Sequence, residues 1–568
     1  MTLAMNPPRP LPIGLDNFEK VITGNYFYVD KTELIADLWK NQAEVTLFTR
    51  PRRFGKSLNL SMLQYFFENT GDEEMNRRNK ALFSELAVMR AGTPVTGQMG
   101  RYPVISLSLK SAKQPDFSLA LYCIREEIGR EFKRHSRILP HLAEGEEKNR
   151  FLRIMNLEGS AEDFATSVLF LSQCLSRIYE EKTIILIDEY DVPLENAYFQ
   201  GFYEEMAGVL RSLFESALKS NPQLQFAVVT GCLRISKESI FTGLNNLSVI
   251  SILSNQYDEH FGFSQQEVDR LLQFYKLEDR REVVKEWYDG YRFGECQVYN
   301  PWSVVNYIAE AIAGKESFPK TYWSNTSSNR IVKDLVEHAD LELRTEIENL
   351  IAGQSIEKQV HEDITYEDIH ESEDNLWNFL LFTGYLKAVG SRMEGTRQYL
   401  SLEIPNMEVK YIYENTITAW FDRKIRAADL SQFYSALENG DTERMEQILT
   451  EILSESISFY DYAENYYHGF LAGILRGNGK YIVKSNRESG HGRPDLVLRT
   501  PSVRGKAIIL ELKTADSLSG MEGRCREALR QIEERGYRRD LEKEGFRQID
   551  AYGICFWKKE AMVQRQTV

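Results

Sequence analysis

At 568 residues the chain is too long for one hydrophobic core, so about two to four domains are expected. Its 42% hydrophobic and 27% charged residues are ordinary globular composition, which excludes wholesale disorder. A net charge of −15 argues against a protein that coats nucleic acid indiscriminately, although local basic surface and metal can still serve a nuclease.

No apolar run reaches the length of a membrane span; the best, at 376–386, is broken by Asn378 and Thr383. The stretch MTLAMNPPRPLPIG lacks an apolar signal core, so a cytoplasmic location is expected. Cys123, Cys174, Cys232, Cys296, Cys525 and Cys555 show no CxxC spacing and read as reduced core residues, neither disulfide partners nor zinc ligands.

In chain order, EVTLFTR at 44–50 is a short buried strand by its apolar run. PRRFGKS comes next, then the helical pattern LNLSMLQYFF, so Gly55, Lys56 and Ser57 stand at a helix start. Backbone N–H groups and a helix N-terminus in such a loop point at phosphate. Lys56 is expected to reach the β/γ-phosphates and Ser57 to ligate Mg²⁺. The pattern GxxxxGK[ST] is met except at its first position, where Arg50 stands for glycine. Arg52, Arg53 and Phe54 complete the cofactor-binding loop. Its three arginines are open to phosphate binding, contact with a partner subunit, or plain solvation.

TIILIDEYD at 183–191 is an apolar strand ending in Asp188 and Glu189. There Asp188 would hold the Mg²⁺-bound water and Glu189 would polarise the attacking water. LQFAVVTGCLRIS at 224–236 is a third buried strand, whose Thr230 would face the γ-phosphate with Arg234 just beyond. All three strands end where parallel sheets bind ligands. A GKS tripeptide or a strand ending in Asp-Glu often arises by chance; both in order, with strand context, predict a nucleotide-binding fold.

Residues from about 258 to 340 read as helical, with Ser264 and Glu267 forming a capping box. The aromatic clusters WYDGYRFG, VYNPWSVVNYI and YWSNTSSN read as the core of a lid packed on a nucleotide site. YLKAVG and YLSLEIPN, between 351 and 421, are strand-like, and 429–457 is a helical connector.

Near the C-terminus GRPDLVL carries Asp495 and KAIILELK carries Glu511 and Lys513. Glu511 and Lys513, at i and i+2 on a strand, share a face, and an antiparallel hairpin would bring Asp495 beside them. Two carboxylates and an ammonium can hold a divalent metal and orient water against a phosphodiester. Asp495 and Glu511 would bind Mg²⁺, with a carbonyl near Leu512 as a third ligand, while Lys513 positions or deprotonates the water and stabilises charge on phosphorus. ExK alone is usually a surface ion pair. The surrounding order, α-β-β-β-α-β, resembles the core of the PD-(D/E)XK nucleases. That resemblance assigns Glu464, on the preceding helix, the role of orienting water at the metal, and matches Gln531, with Tyr537 close by, to a further polar position. His468 reads as a packed or supporting residue, and His491, in a Gly-flanked turn, could approach phosphate through its backbone; neither is read as catalytic. The helix over 524–547 mixes both charges and reads as a solvated face.

Over most of its length the chain resembles a bacterial family that fuses an AAA-ATPase-like module to a C-terminal PD-(D/E)XK nuclease domain. The matching stretches include LPIGLDNFEKV, YFYVDKTELI, RPRRFGKSLNLSML, LIDEYDVPL, YNPWSV, EIPNMEV, YYHGFLAGIL and SNRESGHGRPDLVL. Arginine at the first loop position is a habit of that family, and the resemblance places the segment at 30–32 near an adenine. It implies an α/β multidomain chain: a P-loop domain over 1–257, a helical lid over 258–345, a middle α+β segment over 346–428, and a nuclease-like domain with its connector over 429–568. The implied cofactors are ATP and Mg²⁺, and the implied partner is DNA, with a homo-oligomer left open and no membrane. The expected function is a nuclease under nucleotide control. The alternative is a nucleotide-dependent switch whose nuclease-like domain binds partners or nucleic acid without cutting.

Overall fold

The strand predicted at 44–50 is β1 (Val45–Thr49), the first of five with β2 (Val104–Ser108), β3 (Thr183–Asp188), β4 (Leu224–Gly231) and β5 (Leu247–Ile250). A computed structural model describes residues 9–219, 221–233, 240–241, 245–314, 317–323, 332–333, 341–362, 372–427, 429–454, 464–476, 480–485 and 494–566. The five strands lie in the order β2-β3-β4-β1-β5, every neighbouring pair parallel. Parallel sheets are covered on both faces, so their strands read as unbroken apolar runs; every residue of β1 and β3 is buried. β4 separates β1 from β3, which sets Thr230 between the loop after β1 and the Asp188 end of β3. The loop reaches the helix Lys56–Phe67 through two left-handed residues, Arg53 (φ 71) and Gly55 (φ 87).

Beyond β5 the helices Gln265–Tyr275, Arg281–Tyr288 and Pro301–Ala313 pack around Val268, Leu272, Tyr288, Tyr307 and Ile308. Ser264 and Glu267 form the expected capping box. The segment read as wholly helical also holds a hairpin, β6 (Tyr291–Phe293) with β7 (Cys296–Val298), because the chain turns between them at Gly294 (φ 52). β8 (Ile356–Gln359), β9 (Lys387–Glu394) and β10 (Arg397–Glu403) form an antiparallel sheet in the order β8-β10-β9, and the strand-like pieces expected there supply β9 and β10.

The chain divides into two compact units, Met1–Asn329 with Ser355–Tyr411, and Arg330–Gln354 with Ile412–Val568. The second is built on β11 (Ile482–Ser485), β12 (Leu496–Arg499), β13 (Lys506–Thr514), β14 (Gln548–Trp557) and β15 (Glu560–Gln566), lying side by side in sequence order. All neighbours are antiparallel except β13 and β14, which run parallel. A parallel pair needs a crossover, and the helix Met521–Glu534 provides it. It packs so closely on β14 that a Cβ at Gly553 would meet Cys525 O at 2.4 Å. The other face carries a core that includes Leu437, Leu449, Leu471, Ile508, Leu510 and Tyr552. The predicted element order is present with β15 added, and the long helix is interrupted at Gly536 (φ 68) before Tyr537–Lys543.

All six cysteines are free, with Cys174, Cys232, Cys525 and Cys555 buried. Among the described residues no helix is long and apolar enough to cross a membrane.

Candidate active sites

At the carboxyl ends of β1, β3 and β4 the predicted nucleotide residues converge on Asp188. Ser57 Oγ donates to Asp188 Oδ2 and Thr230 Oγ1 donates to Asp188 Oδ1, each at 2.5 Å. Burial raises the Asp188 pKa, helped by Glu189, while the two hydroxyls and Lys56 oppose the shift. Lys56 is itself buried, and its Nζ donates to Arg50 O (2.8 Å) and Pro51 O (3.0 Å) of its own loop. Glu189 leaves the strand at φ 51 and lines a cavity of about 340 Å³. That volume suits a small-molecule site. Residues 52–59, the loop and the first turn of the helix after it, line it too, with residues 11–16, Lys110 and Lys113 on other sides and Phe263, Leu271 and Trp302 giving it an apolar wall.

The three loop arginines take different roles. Arg50 is turned away from the cavity: its Nη1 donates to Thr49 O and Ile250 O, and its guanidinium lies over Phe261 and Phe293 at 5.3 and 5.0 Å. Burial lowers its pKa to about 9. Its backbone is not left-handed, so no glycine is needed at this first loop position. Arg52 pairs with Glu195, and Arg53 stacks over Trp302 at 4.3 Å. The Phe54 ring packs on Tyr291 and Phe293, so its side chain serves the core although the residue borders the cavity. In the segment at 30–32, Asp30 accepts from Thr32 and Ala87 and so fixes a turn, while Lys31 lines the cavity and pairs with Glu267. Arg234 lies outside the described residues.

Other residues joined to this site were not singled out from sequence. Trp323 Nε1 donates to Arg52 O (3.3 Å), and its backbone N–H donates to Glu408 Oε1 (2.8 Å), whose Oε2 accepts from Ser303 Oγ (2.7 Å). Burial pushes the Glu408 carboxyl up to about 7. Asp191, three residues past Asp188, accepts from the N–H groups of Cys232 (2.6 Å) and Leu233 (3.2 Å), tying β3 to the end of β4; burial pushes it up to about 6. The DEYD spacing was the only available signal for Asp191, and the aromatic segments gave none that separated loop contact from core packing.

In the second unit the register sets Leu496 opposite Leu510, so Asp495 falls beside Glu511. Asp495 N donates to Glu511 Oε2 (3.3 Å), and Leu512 N donates to Asp495 Oδ2 (2.8 Å). Lys513 Nζ stands 4.0 Å from Glu511 Oε1. Gln531 Nε2, from the crossover helix, donates to Glu511 Oε1. Tyr537 adjoins them: burial raises its hydroxyl pKa, and the charges of Glu511 and Asp495 add to the effect. His468 Nε2–H donates to Asp495 O (3.0 Å), a supporting contact. Glu464 begins the helix Glu464–Arg476, but its side chain, like the whole of His491, lies outside the described residues.

Among the described residues no group of three or more His, Cys, Asp or Glu side chains stands together as a metal site, so Asp495 and Glu511 form a pair. Their chemistry fits a hard divalent cation: both donors are carboxylates, and Asp495 Oδ1 has no hydrogen-bond partner among the described residues. At the other site the hydroxyl of Ser57 and the carboxylate of Asp188 meet the same requirement.

Comparison with known proteins matches one stretch within each of the two units. A family model described as Predicted AAA-ATPase matches residues 12–241, and one described as PD-(D/E)XK nuclease superfamily matches residues 462–566. A protein of Azotobacter chroococcum mcd 1, described as "Uncharacterized protein in vnfD 5'region", is 24% identical over 545 residues, covering 93% of each chain. The chain joins an AAA-ATPase-like domain to a C-terminal domain of the PD-(D/E)XK nuclease superfamily.

Proposed function

We propose that the chain is a Mg²⁺-dependent nuclease acting on DNA, controlled by ATP binding and hydrolysis in its N-terminal domain. The observation that carries this reading is the meeting of Asp495, just before β12, with Glu511 and Lys513 of β13, Lys513 Nζ standing 4.0 Å from Glu511. Asp495 and Glu511 would hold the Mg²⁺, which supplies Lewis-acid polarisation of the phosphate and lowers the pKa of water. Lys513 orients the nucleophilic water and meets the negative charge that grows on the phosphate oxygens. Gln531 holds the Glu511 carboxylate in place, and Leu512 N–H does the same for Asp495. As the water oxygen bonds to phosphorus it gives up a proton to solvent, while the bond to one sugar oxygen breaks and that oxygen leaves with the electron pair and takes up a proton from solvent.

In the N-terminal domain the cavity is the proposed ATP site, with Ser57 and Asp188 on the Mg²⁺ side and Glu189 as the base for water. Supercoiled plasmid incubated with Mg²⁺, with and without ATP, tests both claims on wild type, Asp495→Ala and Lys56→Ala. Loss of cleavage in Asp495→Ala and loss of the ATP effect in Lys56→Ala are expected. Cleavage that survives Asp495→Ala removes the nuclease assignment, and plasmid bound but never cut by wild type favours the switch reading.

A further inference from the structure

We propose that Lys110 and Lys113 supply the cation that meets the γ-phosphate during ATP hydrolysis, and that they do so within the same chain that binds the nucleotide. This rests on the ATP-hydrolysing reading above.

The placement comes from β2. Ser108, its last residue, is in register with Asp188, so the chain leaves β2 beside the Asp188-Glu189 end of β3. It leaves as a single 3₁₀ turn, Leu109–Ala112. Side chains three apart in such a turn lie one above the other. Leu109 and Ala112 form one such pair and are buried, 1% and 0% exposed. Lys110 and Lys113, the residue that closes the turn, are likewise three apart; both are exposed, and both line the cavity that Glu189 and residues 52–59 border.

Six Lys and Arg side chains line that cavity, and four are already committed. Lys31 pairs with Glu267, Arg52 pairs with Glu195, Arg53 lies over Trp302, and Lys56 is held by two loop carbonyls. Among the described residues the side-chain ammonium groups of Lys110 and Lys113 make no hydrogen bond or ion pair. They are unspent positive charge on the Asp188-Glu189 side of the cavity, on long stems able to track a phosphate.

In hydrolysis the water oxygen bonds to the γ-phosphorus as its bond to the β–γ bridging oxygen breaks. The electron pair leaves with ADP, and the water proton passes to Glu189. Charge spreads over the three equatorial oxygens at the transition state, where a cation delivered by a finger residue is worth about 10³–10⁵ in kcat. Exposed lysines are more strongly hydrated than an arginine finger, so a loss of about 10²-fold is expected here.

The test compares full-length wild type, Lys110→Ala/Lys113→Ala and Lys110→Arg/Lys113→Arg, measuring ATP turnover and affinity for a fluorescent ATP analogue. The double alanine variant is expected to lose about 10²-fold in kcat with affinity changed less than about 5-fold, and the arginine variant to recover most of the rate. Retained affinity shows that the fold and the site survive. Mixing the double alanine variant with Lys56→Ala separates the geometries: no recovery supports action within one chain, and recovered turnover overturns it. Wild type that hydrolyses ATP while the alanine variant keeps its kcat overturns the inference alone. Wild type that binds no nucleotide overturns the ATP reading and this inference with it.

Discussion

Replacing Glu408 by Gln is expected to change how stability depends on pH. The carboxylate lies fully buried between Ser303 Oγ and the Trp323 N–H, and burial moves its pKa from an ordinary 4.5 to about 7. A folded-state pKa raised above the unfolded value means that the folded chain holds the proton more tightly. That contribution is fully present below pH 4.5 and is lost as pH rises through 7. At about 1.4 kcal/mol per pH unit, the interval is worth about 3 kcal/mol. Gln keeps an acceptor for the Trp323 N–H and can donate to Ser303 Oγ, yet never has to be ionised in the core. For a unit of several hundred residues, about 3 kcal/mol corresponds to a shift of about 4 °C. Differential scanning fluorimetry of both proteins from pH 4 to pH 8 should show equal Tm values at the acid end and Glu408→Gln about 4 °C higher at pH 8. A difference that stays constant across the range, or a variant less stable at pH 8, would refute the reasoning.

Gln531→Ala should lower plasmid cleavage about 10–100-fold with Tm unchanged, because it removes the amide that holds Glu511; an unaltered rate would show that Glu511 is oriented by something else. Chelation with EDTA should end cleavage and added Mg²⁺ should restore it, whereas cleavage continuing in EDTA would rule out Asp495 and Glu511 as metal ligands in the reaction. Thr230→Val takes one of two hydroxyl donors from buried Asp188 and should cost about 1–3 kcal/mol, read as a lower Tm of the N-terminal unit. Equal thermal stability would mean that the Thr230 contact is dispensable.

The two candidate sites were the most legible part of the sequence, because their residues are set by short spacings within single elements. Gly55, Lys56 and Ser57 open a helix after a buried strand, and Glu511 and Lys513 share a strand face, so local periodicity was enough to place them. Element order extended this to the partnership of Asp495 with Glu511, since only a hairpin brings them together. The contacts that stayed hidden join distant stretches of chain. Trp323 reaches Arg52 across 271 residues, and nothing in YWSN distinguishes a tryptophan on the loop from one in the core. Arg50 fits none of the three readings that its loop position left open, phosphate binding, a partner contact or solvation: its charge is buried between two aromatic rings against the carbonyls of β1 and β5. Gly294 and Gly536 each mark a break that periodicity had run through.

On the ribosome the two halves of this chain become complete at different times. The five-stranded parallel sheet has all its strands once Ile250 has emerged, but β13, which carries Glu511, lacks one neighbour until β14 ends at Trp557. At about 5–20 residues per second, that gap of some three hundred residues takes roughly 15–60 s. During that interval the AAA-ATPase-like domain can fold while the strand bearing Glu511 and Lys513 has an unpaired edge. A chain stalled before β14 would carry a complete N-terminal sheet without a finished C-terminal one, so the order of synthesis makes the Asp495–Glu511 pair the later of the two candidate sites to form.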